Sequence, residues 1–186
     1  MILDLRGLGL ISIAAIVVTS ALPLLGAPLD WQDSVSHSWA GSRRRWLRMA
    51  TLFSLAGTGL CVSLAFWVIP HYHLPAFMYA VILLAWVAFM GVAWIPMTNR
   101  PGEHSYSHGH FLGGSVLATS AILAMAVVVW FGVDVSSPAR LVCIMAMTFA
   151  LAWPLLFISP AKRFFLALES LIAMTFSTAV VLLLTT

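Results

Sequence analysis

The chain contains 186 residues, of which 62% are hydrophobic and only 8% are charged, and its mean hydropathy is +1.03. So few charged side chains cannot form the hydrated surface that a water-soluble domain of this size needs. The net charge of +3 is small and comes mostly from one arginine cluster, whereas a nucleic-acid partner requires basic side chains spread over a water-exposed face. We therefore expect an integral membrane protein that does not bind nucleic acid.

Six apolar runs in the sequence are long enough to cross a bilayer, which takes about 20 helical residues. Backbone polar groups inside lipid must be hydrogen-bonded within their own segment, and the alternating pattern of a membrane β-barrel is absent from the sequence. The sequence thus predicts an all-α, six-transmembrane-helix bundle in which residues 1–186 form a single membrane domain. The predicted helices lie near residues 7–25, 49–69, 75–96, 112–133, 141–158 and 164–184.

The first apolar run also has features of a signal peptide, since Arg6 precedes it and small residues follow it. It is long for the apolar core of a signal peptide, and no clear small-x-small cleavage site precedes Pro28. We therefore favour a retained helix over a cleaved leader.

The distribution of basic residues predicts how the bundle is oriented. With six helices, the first, third and fifth loops share one side of the membrane, and the positive-inside rule places the more basic side in the cytoplasm. Only Arg6 and Arg140 lie on the other side. We expect a bacterial-type inner membrane, with both termini outside and loops one, three and five cytoplasmic. The basic residues on the predicted cytoplasmic side are Arg43, Arg44, Arg45, Arg48, Arg100, Lys162 and Arg163.

Small residues recur in the predicted helices at spacings that allow close packing. Gly57 and Gly59 lie in the second helix, and Gly109 and Gly113 lie four residues apart at the start of the fourth. Such positions serve either packing inside the bundle or a dimer face. We favour internal packing, because glycine is common in membrane helices in general.

Polar residues concentrate in two of the loops that the topology places on one side. The stretch 103–110, EHSYSHGH, holds three of the chain's six histidines, and His104 and His108 are four residues apart. If the fourth helix begins early, both rings share one face, a spacing that can hold a metal ion. The first loop carries Asp33 and His37, also four residues apart. These four residues are the candidate metal ligands.

The same residues are compatible with more than one chemistry. Imidazole and carboxylate together suit zinc or iron, and a zinc ion with an open position activates water for hydrolysis. Alternatively, a His–Asp pair could activate Ser34 or Ser36 as a nucleophile.

Glu169 lies near the start of the sixth helix on the same side, and a carboxylate within an apolar helix usually faces a partner or a water-filled cavity. Two structural interpretations remain open. The histidines and serines could be ordinary polar loop residues, and Glu169 could make a structural hydrogen bond to a neighbouring helix. The catalytic candidates are Asp33, Ser36, His37 and Glu169.

Three stretches carry a resemblance to a known family. They are DSVSHSWAG at residues 33–41, the second helix with its two glycines, and WIPMTNRPG at residues 94–102 leading to the fourth helix. This pattern resembles the uncharacterised six-helix membrane proteins numbered 998 among the domains of unknown function. In that family a polar, serine-containing loop follows helix one, and a proline-containing loop ending in a helix-opening histidine precedes helix four. The resemblance spans most of the chain and implies roles for Ser36 and His108, with Pro96 at the end of the third helix.

A fainter similarity reaches the superfamily of alkaline ceramidases and progestin-type receptors. Those proteins have seven helices and an intramembrane zinc ion that histidines hold beside a serine and an aspartate. The present chain has one predicted helix fewer, and its histidines lie in a loop rather than deep in a final helix.

The sequence leaves three functional interpretations open. The first is a non-enzymatic membrane protein that binds or senses lipid, or serves as an accessory subunit beside other membrane subunits. The second is a metal-dependent hydrolase that acts on a lipid or another amphiphile with a zinc ion. The third and weakest is a small transporter that uses Glu169, because few charges lie within the predicted helices and no pair of broken helices is evident.

Overall fold

The computed structural model describes residues 4–21, 43–95, 108–152 and 165–186, and these ranges are helical with short turns and no strand. Two α-helices and the π-helical turn between them run without interruption from Arg43 to His71, so the described chain has six long helices, as the six apolar runs predict. The elements are α1 (Leu5–Ala21), α2 (Arg43–Ser63), the π turn (Leu64–Val68), α3 (Ile69–His71), α4 (Met78–Trp94), α5 (His108–Phe131), α6 (Ser137–Leu151) and α7 (Phe165–Thr185).

Three helices begin a full turn or more before the predicted start, namely α2 at Arg43, α5 at His108 and α6 at Ser137. Hydropathy marks only the apolar part of a helix, whereas arginine is itself a good helix former. At α6, the Ser136 side chain caps the helix by accepting a hydrogen bond from the Ala139 backbone N–H at 3.4 Å. The arginine cluster therefore belongs to a helix rather than to a loop.

The π turn lies between α2 and the short helix α3. The Ile69 backbone N–H donates to the Leu64 carbonyl, five residues earlier, and Pro70 follows. Proline has no N–H, and its ring crowds the carbonyl one turn before it, so a wider turn relieves the clash. Trp67 is part of this π turn.

The six long helices form a closed ring. Helix α1 packs against α2, the α2 helix packs against α4, and α4, α5, α6 and α7 follow in order until α7 returns to α1. Neighbouring helices run antiparallel. We call one end of the bundle the Arg6 end; it comprises the start of α1, the α3–α4 turn, the α5–α6 turn and the end of α7. The opposite end, where α4 ends and α2, α5 and α7 begin, is the Trp94 end.

Reciprocal glycine–serine contacts bring α1 and α2 close together. Gly9 of α1 faces Ser63 of α2, and Gly59 of α2 faces Ser12 of α1. A Cβ atom at either glycine would overlap the serine Oγ atom opposite. The Ser63 hydroxyl also donates to the Leu5 carbonyl at 2.6 Å, which joins the two helices near the Arg6 end. Small side chains thus permit both close approach and an interhelical hydrogen bond.

The contact between α2 and α4 is also close. Gly57 faces Phe89, whose ring stacks on Phe53 with 4.2 Å between the ring centroids. A Cβ atom at Gly113 of α5 would lie 3.3 Å from Val92 of α4. Internal packing is therefore confirmed for Gly57, Gly59 and Gly113; the side-chain surroundings of residue 109 lie outside the described part of the chain.

Among the described residues, the large buried apolar side chains lie in the half of the bundle next to the Arg6 end. Its most completely buried large side chains are Tyr72, Met78, Val180, Leu183 and Leu184. The buried positions that the structure describes in the other half carry mainly small side chains, among them Ala50, Ala88, Ala93 and Ala150.

Large apolar side chains also cover the outside of the ring. Each long helix exposes at least one of them by 60% or more: Ile11, Leu55, Leu83, Trp130, Leu141 and Met174. Three helical stretches are both long and apolar enough to cross a bilayer, namely Trp46–His71, Leu112–Phe131 and Ala167–Thr185. The apolar helices Leu5–Ala21, Met78–Trp94 and Ser137–Leu151 are shorter.

Candidate functional site at the two ends of the bundle

Most of the predicted site residues lie outside the described part of the chain. This holds for Asp33, Ser36, His37 and His104. Among the residues that the structure does describe, no three His, Cys, Asp or Glu side chains lie close enough together to hold a metal ion. The predicted metal ligands therefore remain a prediction.

Two predicted site residues belong to described helices. His108 is the first residue of α5, and Glu169 is partly buried in the second turn of α7. Because α5 and α7 both begin at the Trp94 end, these two residues share one end of the bundle. Their convergence into one site stays a prediction.

At the Arg6 end, the Arg6 side chain joins three parts of the ring. Its Nε atom donates to the Leu184 carbonyl of α7 at 2.7 Å, and its guanidinium carbon lies 5.0 Å from the centroid of the Trp67 ring. Asp4 accepts a hydrogen bond from the Arg6 backbone N–H at 3.1 Å. A guanidinium over an indole face is a favourable cation–π arrangement, which is stronger where water is partly excluded. Arg6 therefore closes the ring between α1 and α7.

Aromatic rings continue this contact toward the α3–α4 turn. The Trp67 ring stacks on His71 with 4.7 Å between centroids and 17° between planes. His71 in turn meets Tyr72 edge-on at the same centroid distance. The Trp67 Nε1 atom is buried and has no hydrogen-bond partner among the residues that the structure describes. Trp67 thus contributes its ring to packing rather than its N–H group to hydrogen bonding with these residues.

Tyr72 joins the α3–α4 turn to two other elements. Its hydroxyl donates to the Leu183 carbonyl at 2.9 Å and lies 3.2 Å from the Thr186 hydroxyl, and the residue is only 1% exposed. Its own carbonyl accepts from the Val133 backbone N–H at 3.0 Å. One residue therefore connects the turn before α4 with the end of α7 and with the α5–α6 turn.

Arg140 of α6 completes the hydrogen bonding of the α5–α6 turn. Its Nε atom donates to the Val135 carbonyl at 3.2 Å, Nη1 to the Val129 carbonyl at 3.2 Å, and Nη2 to the Gly132 carbonyl at 2.8 Å. The last carbonyls of a helix have no donor within the helix, and a cation near them also interacts favourably with the helix dipole. Arg140 is therefore a structural residue.

At the Trp94 end, indole rings and hydroxyl groups align α2 with α4. The Trp94 N–H donates to the Ser54 hydroxyl at 2.7 Å, and the Trp86 N–H donates to the Thr58 hydroxyl at 3.0 Å. Trp94 also meets Trp46 edge-on, with 6.0 Å between centroids. Ser54 and Thr58 are four residues apart and so face the same helix, a pairing that the sequence analysis missed.

The described arginines at the Trp94 end differ in their hydrogen bonding from those at the Arg6 end. Arg44 and Arg48 are both exposed, and neither makes a hydrogen bond or ion pair with any residue that the structure describes. In the described part of the chain these two guanidinium groups thus have no partner, whereas Arg140 donates from all three of its side-chain nitrogen atoms.

No protein-family model, curated protein or solved structure matches this chain. The resemblance to the six-helix family and to the ceramidase superfamily stays a prediction.

Proposed function

We propose that this chain is a multi-pass protein of a bacterial-type inner membrane that binds lipid and does not catalyse a reaction. It would act as a lipid-binding or sensing protein, or as an accessory subunit beside other membrane proteins. The observation that supports this most is the exterior of the ring, where every long helix exposes large apolar side chains. Contiguous apolar surface of this extent suits contact with acyl chains and not with water.

The proposed orientation places the Trp94 end in the cytoplasm and the Arg6 end outside. The helical arginines at the start of α2 support it, because arginine near the end of a membrane helix favours the cytoplasmic side. Trp46 and Trp94 at one end, and Trp67 and Trp130 toward the other, suit the two interfacial levels of a bilayer.

Membrane extraction and cysteine labelling test this proposal. We expect the protein to stay in the membrane fraction of a bacterial host after alkaline carbonate washing. In a background with both native cysteines changed to alanine, an impermeant maleimide should label Ala76→Cys in intact cells. Leu47→Cys, near the start of α2, should react only after lysis. Release of the chain by carbonate would refute the proposal, and the reverse labelling pattern would refute the orientation.

A metal-dependent hydrolase is the second candidate, and two of the proposed residues that belong to described helices support it. His108 opens α5 and Glu169 lies in the second turn of α7, both at the Trp94 end. His104, His37 and Asp33 would then supply further zinc ligands from the adjoining loops.

Elemental analysis of the chelator-free, detergent-purified protein separates the two candidates. The hydrolase predicts one equivalent of zinc, which the His104→Ala/His108→Ala variant loses. The matched control is His71→Ala/His73→Ala, which removes two exposed histidines at the Arg6 end and should keep the metal. A protein purified without any metal would remove this candidate.

A further inference from the structure

One face of α2 combines exposed cations with an exposed apolar stripe. Arg44 and Arg48 lie four residues apart on this face, and Leu52 and Leu55 continue it with exposed fractions of 51% and 67%. Residues at this spacing lie above one another along a helix. From Arg44 to Leu55 the helix rises about 16 Å, close to the hydrocarbon thickness of one leaflet.

The charge on this part of the helix is positive and is not compensated within it. Residues 43–71 contain four arginines within the first six positions and no aspartate or glutamate. Neither Arg44 nor Arg48 pairs with any described residue, and the first turn of a helix adds a partial positive charge. An anionic group placed here would meet two guanidinium groups, which suit the geometry of a phosphate.

Two tryptophans lie at the same level of the bundle as the arginines, although Trp46 is on the other side of α2, since two residues turn a helix by about 200°. The Trp94 ring is 43% exposed, its N–H donates to Ser54 at 2.7 Å, and its edge meets Trp46. Tryptophan at the end of an apolar helix typically lies at the level of the lipid headgroups. The arginines precede Trp46 by two residues and follow it by two, so they lie at the same level.

We infer that this face of α2 is a binding site for an anionic phospholipid. The headgroup phosphate lies between Arg44 and Arg48, and an acyl chain follows Leu52 and Leu55 toward the middle of the bilayer. The inference rests on the proposed membrane function and names its ligand class. Arg6 and Arg140 at the other end do not form such a site, because backbone carbonyls already accept hydrogen bonds from them.

Native mass spectrometry of the detergent-solubilised full chain measures each lipid-binding event separately. The probes are phosphatidylglycerol, which is anionic, and phosphatidylcholine with the same acyl chains, which is zwitterionic. We expect phosphatidylglycerol to bind more tightly to the unaltered chain, and Arg48→Gln to weaken it about fivefold, since a basic residue at the surface contributes about 1 kcal/mol. The Arg44→Gln/Arg48→Gln variant should lose most of the preference, and the corresponding double lysine variant should keep most of it.

Arg6→Gln is the matched control, because it removes one positive charge at the opposite end. Its phosphatidylglycerol affinity should equal that of the unaltered chain. Equal binding of the two lipids, or an equal loss in Arg6→Gln and Arg48→Gln, would overturn the inference. A chain that stays in carbonate-washed membranes but shows no lipid preference refutes this site alone, whereas a chain that carbonate releases refutes the proposed membrane function.

Discussion

The two ends of the bundle are built differently. At the Arg6 end, polar side chains donate to backbone carbonyls of other elements, and large buried side chains such as Tyr72 fill the centre. At the Trp94 end, the described buried positions carry mainly alanine, Arg44 and Arg48 of α2 are exposed, and the described hydrogen bonds between α2 and α4 join side chain to side chain. The first arrangement stabilises the fold, whereas Arg44 and Arg48 make no hydrogen bond or ion pair with the described residues. Mutations of the same kind at the two ends should therefore have unequal effects.

The largest difference is expected between two tyrosine truncations. Tyr72→Ala removes a buried ring and its hydrogen bond to Leu183, and should lower the free energy of unfolding by about 3–5 kcal/mol. Tyr79→Ala removes the same atoms from a side chain that is 44% exposed, and should cost less than about 1 kcal/mol. Unfolding in mixed detergent micelles measures both. Both tyrosines lie at the Arg6 end, so the pair isolates the effect of burial and hydrogen bonding there. Equal losses would mean that the contacts of Tyr72 do not stabilise this end.

A pair of arginine substitutions compares how much one cation at each end contributes to the free energy of unfolding. Arg140→Gln leaves carbonyls of the α5–α6 turn without donors and should lower the free energy of unfolding by at least about 2 kcal/mol. Arg48→Gln removes an exposed cation and should change it by no more than about 0.5 kcal/mol. The same unfolding assay measures both variants. A large loss in the free energy of unfolding for Arg48→Gln would show that this arginine has a structural role.

Two glycine substitutions compare how much room a Cβ atom has at Gly9 of α1 and at Gly91 of α4. A Cβ at Gly9 would overlap Ser63, whose hydroxyl cannot turn away without losing its bond to Leu5, so Gly9→Ala should cost about 1–3 kcal/mol. At Gly91 the nearest atom, of Ile95, lies at 3.9 Å. Gly91→Ala should therefore raise stability by about 0.5–1 kcal/mol through lower backbone entropy of the unfolded chain. Thermal denaturation in detergent would show opposite shifts; a stabilising Gly9→Ala would contradict the close α1–α2 contact.

The smallest effect is expected at the α2–α4 contact near the Trp94 end. Trp94→Phe removes the N–H that donates to Ser54 and should lower the free energy of unfolding by about 0.6 kcal/mol, the average for interhelical hydrogen bonds in membranes. Trp130→Phe, on a ring that is 72% exposed, serves as the control and should have no measurable effect. A loss at Trp94 as large as that at Tyr72 would remove the distinction between the two ends.

The helical class and the number of long helices could be predicted from the sequence, because apolar runs and the bilayer's demand for internal hydrogen bonding are local properties. The close contacts at Gly57 and Gly59 also followed from residue size. The start of α2 at Arg43 did not, since hydropathy does not detect a helical turn rich in arginine. Of the predicted site, only His108 and Glu169 belong to described elements, so the proposed convergence of the site residues stays a prediction.

The sequence by itself determined which segments are helices and which residues are charged, because both depend on neighbours along the chain. Only the tertiary structure decided what each cation does. Arg6 donates to the Leu184 carbonyl, 178 residues away in sequence, and Arg140 donates to carbonyls of the α5–α6 turn that precedes it. Arg44 and Arg48 are exposed. No local pattern distinguishes these arginines, because the partner of a guanidinium group depends on which carbonyls the folded ring brings within hydrogen-bonding distance.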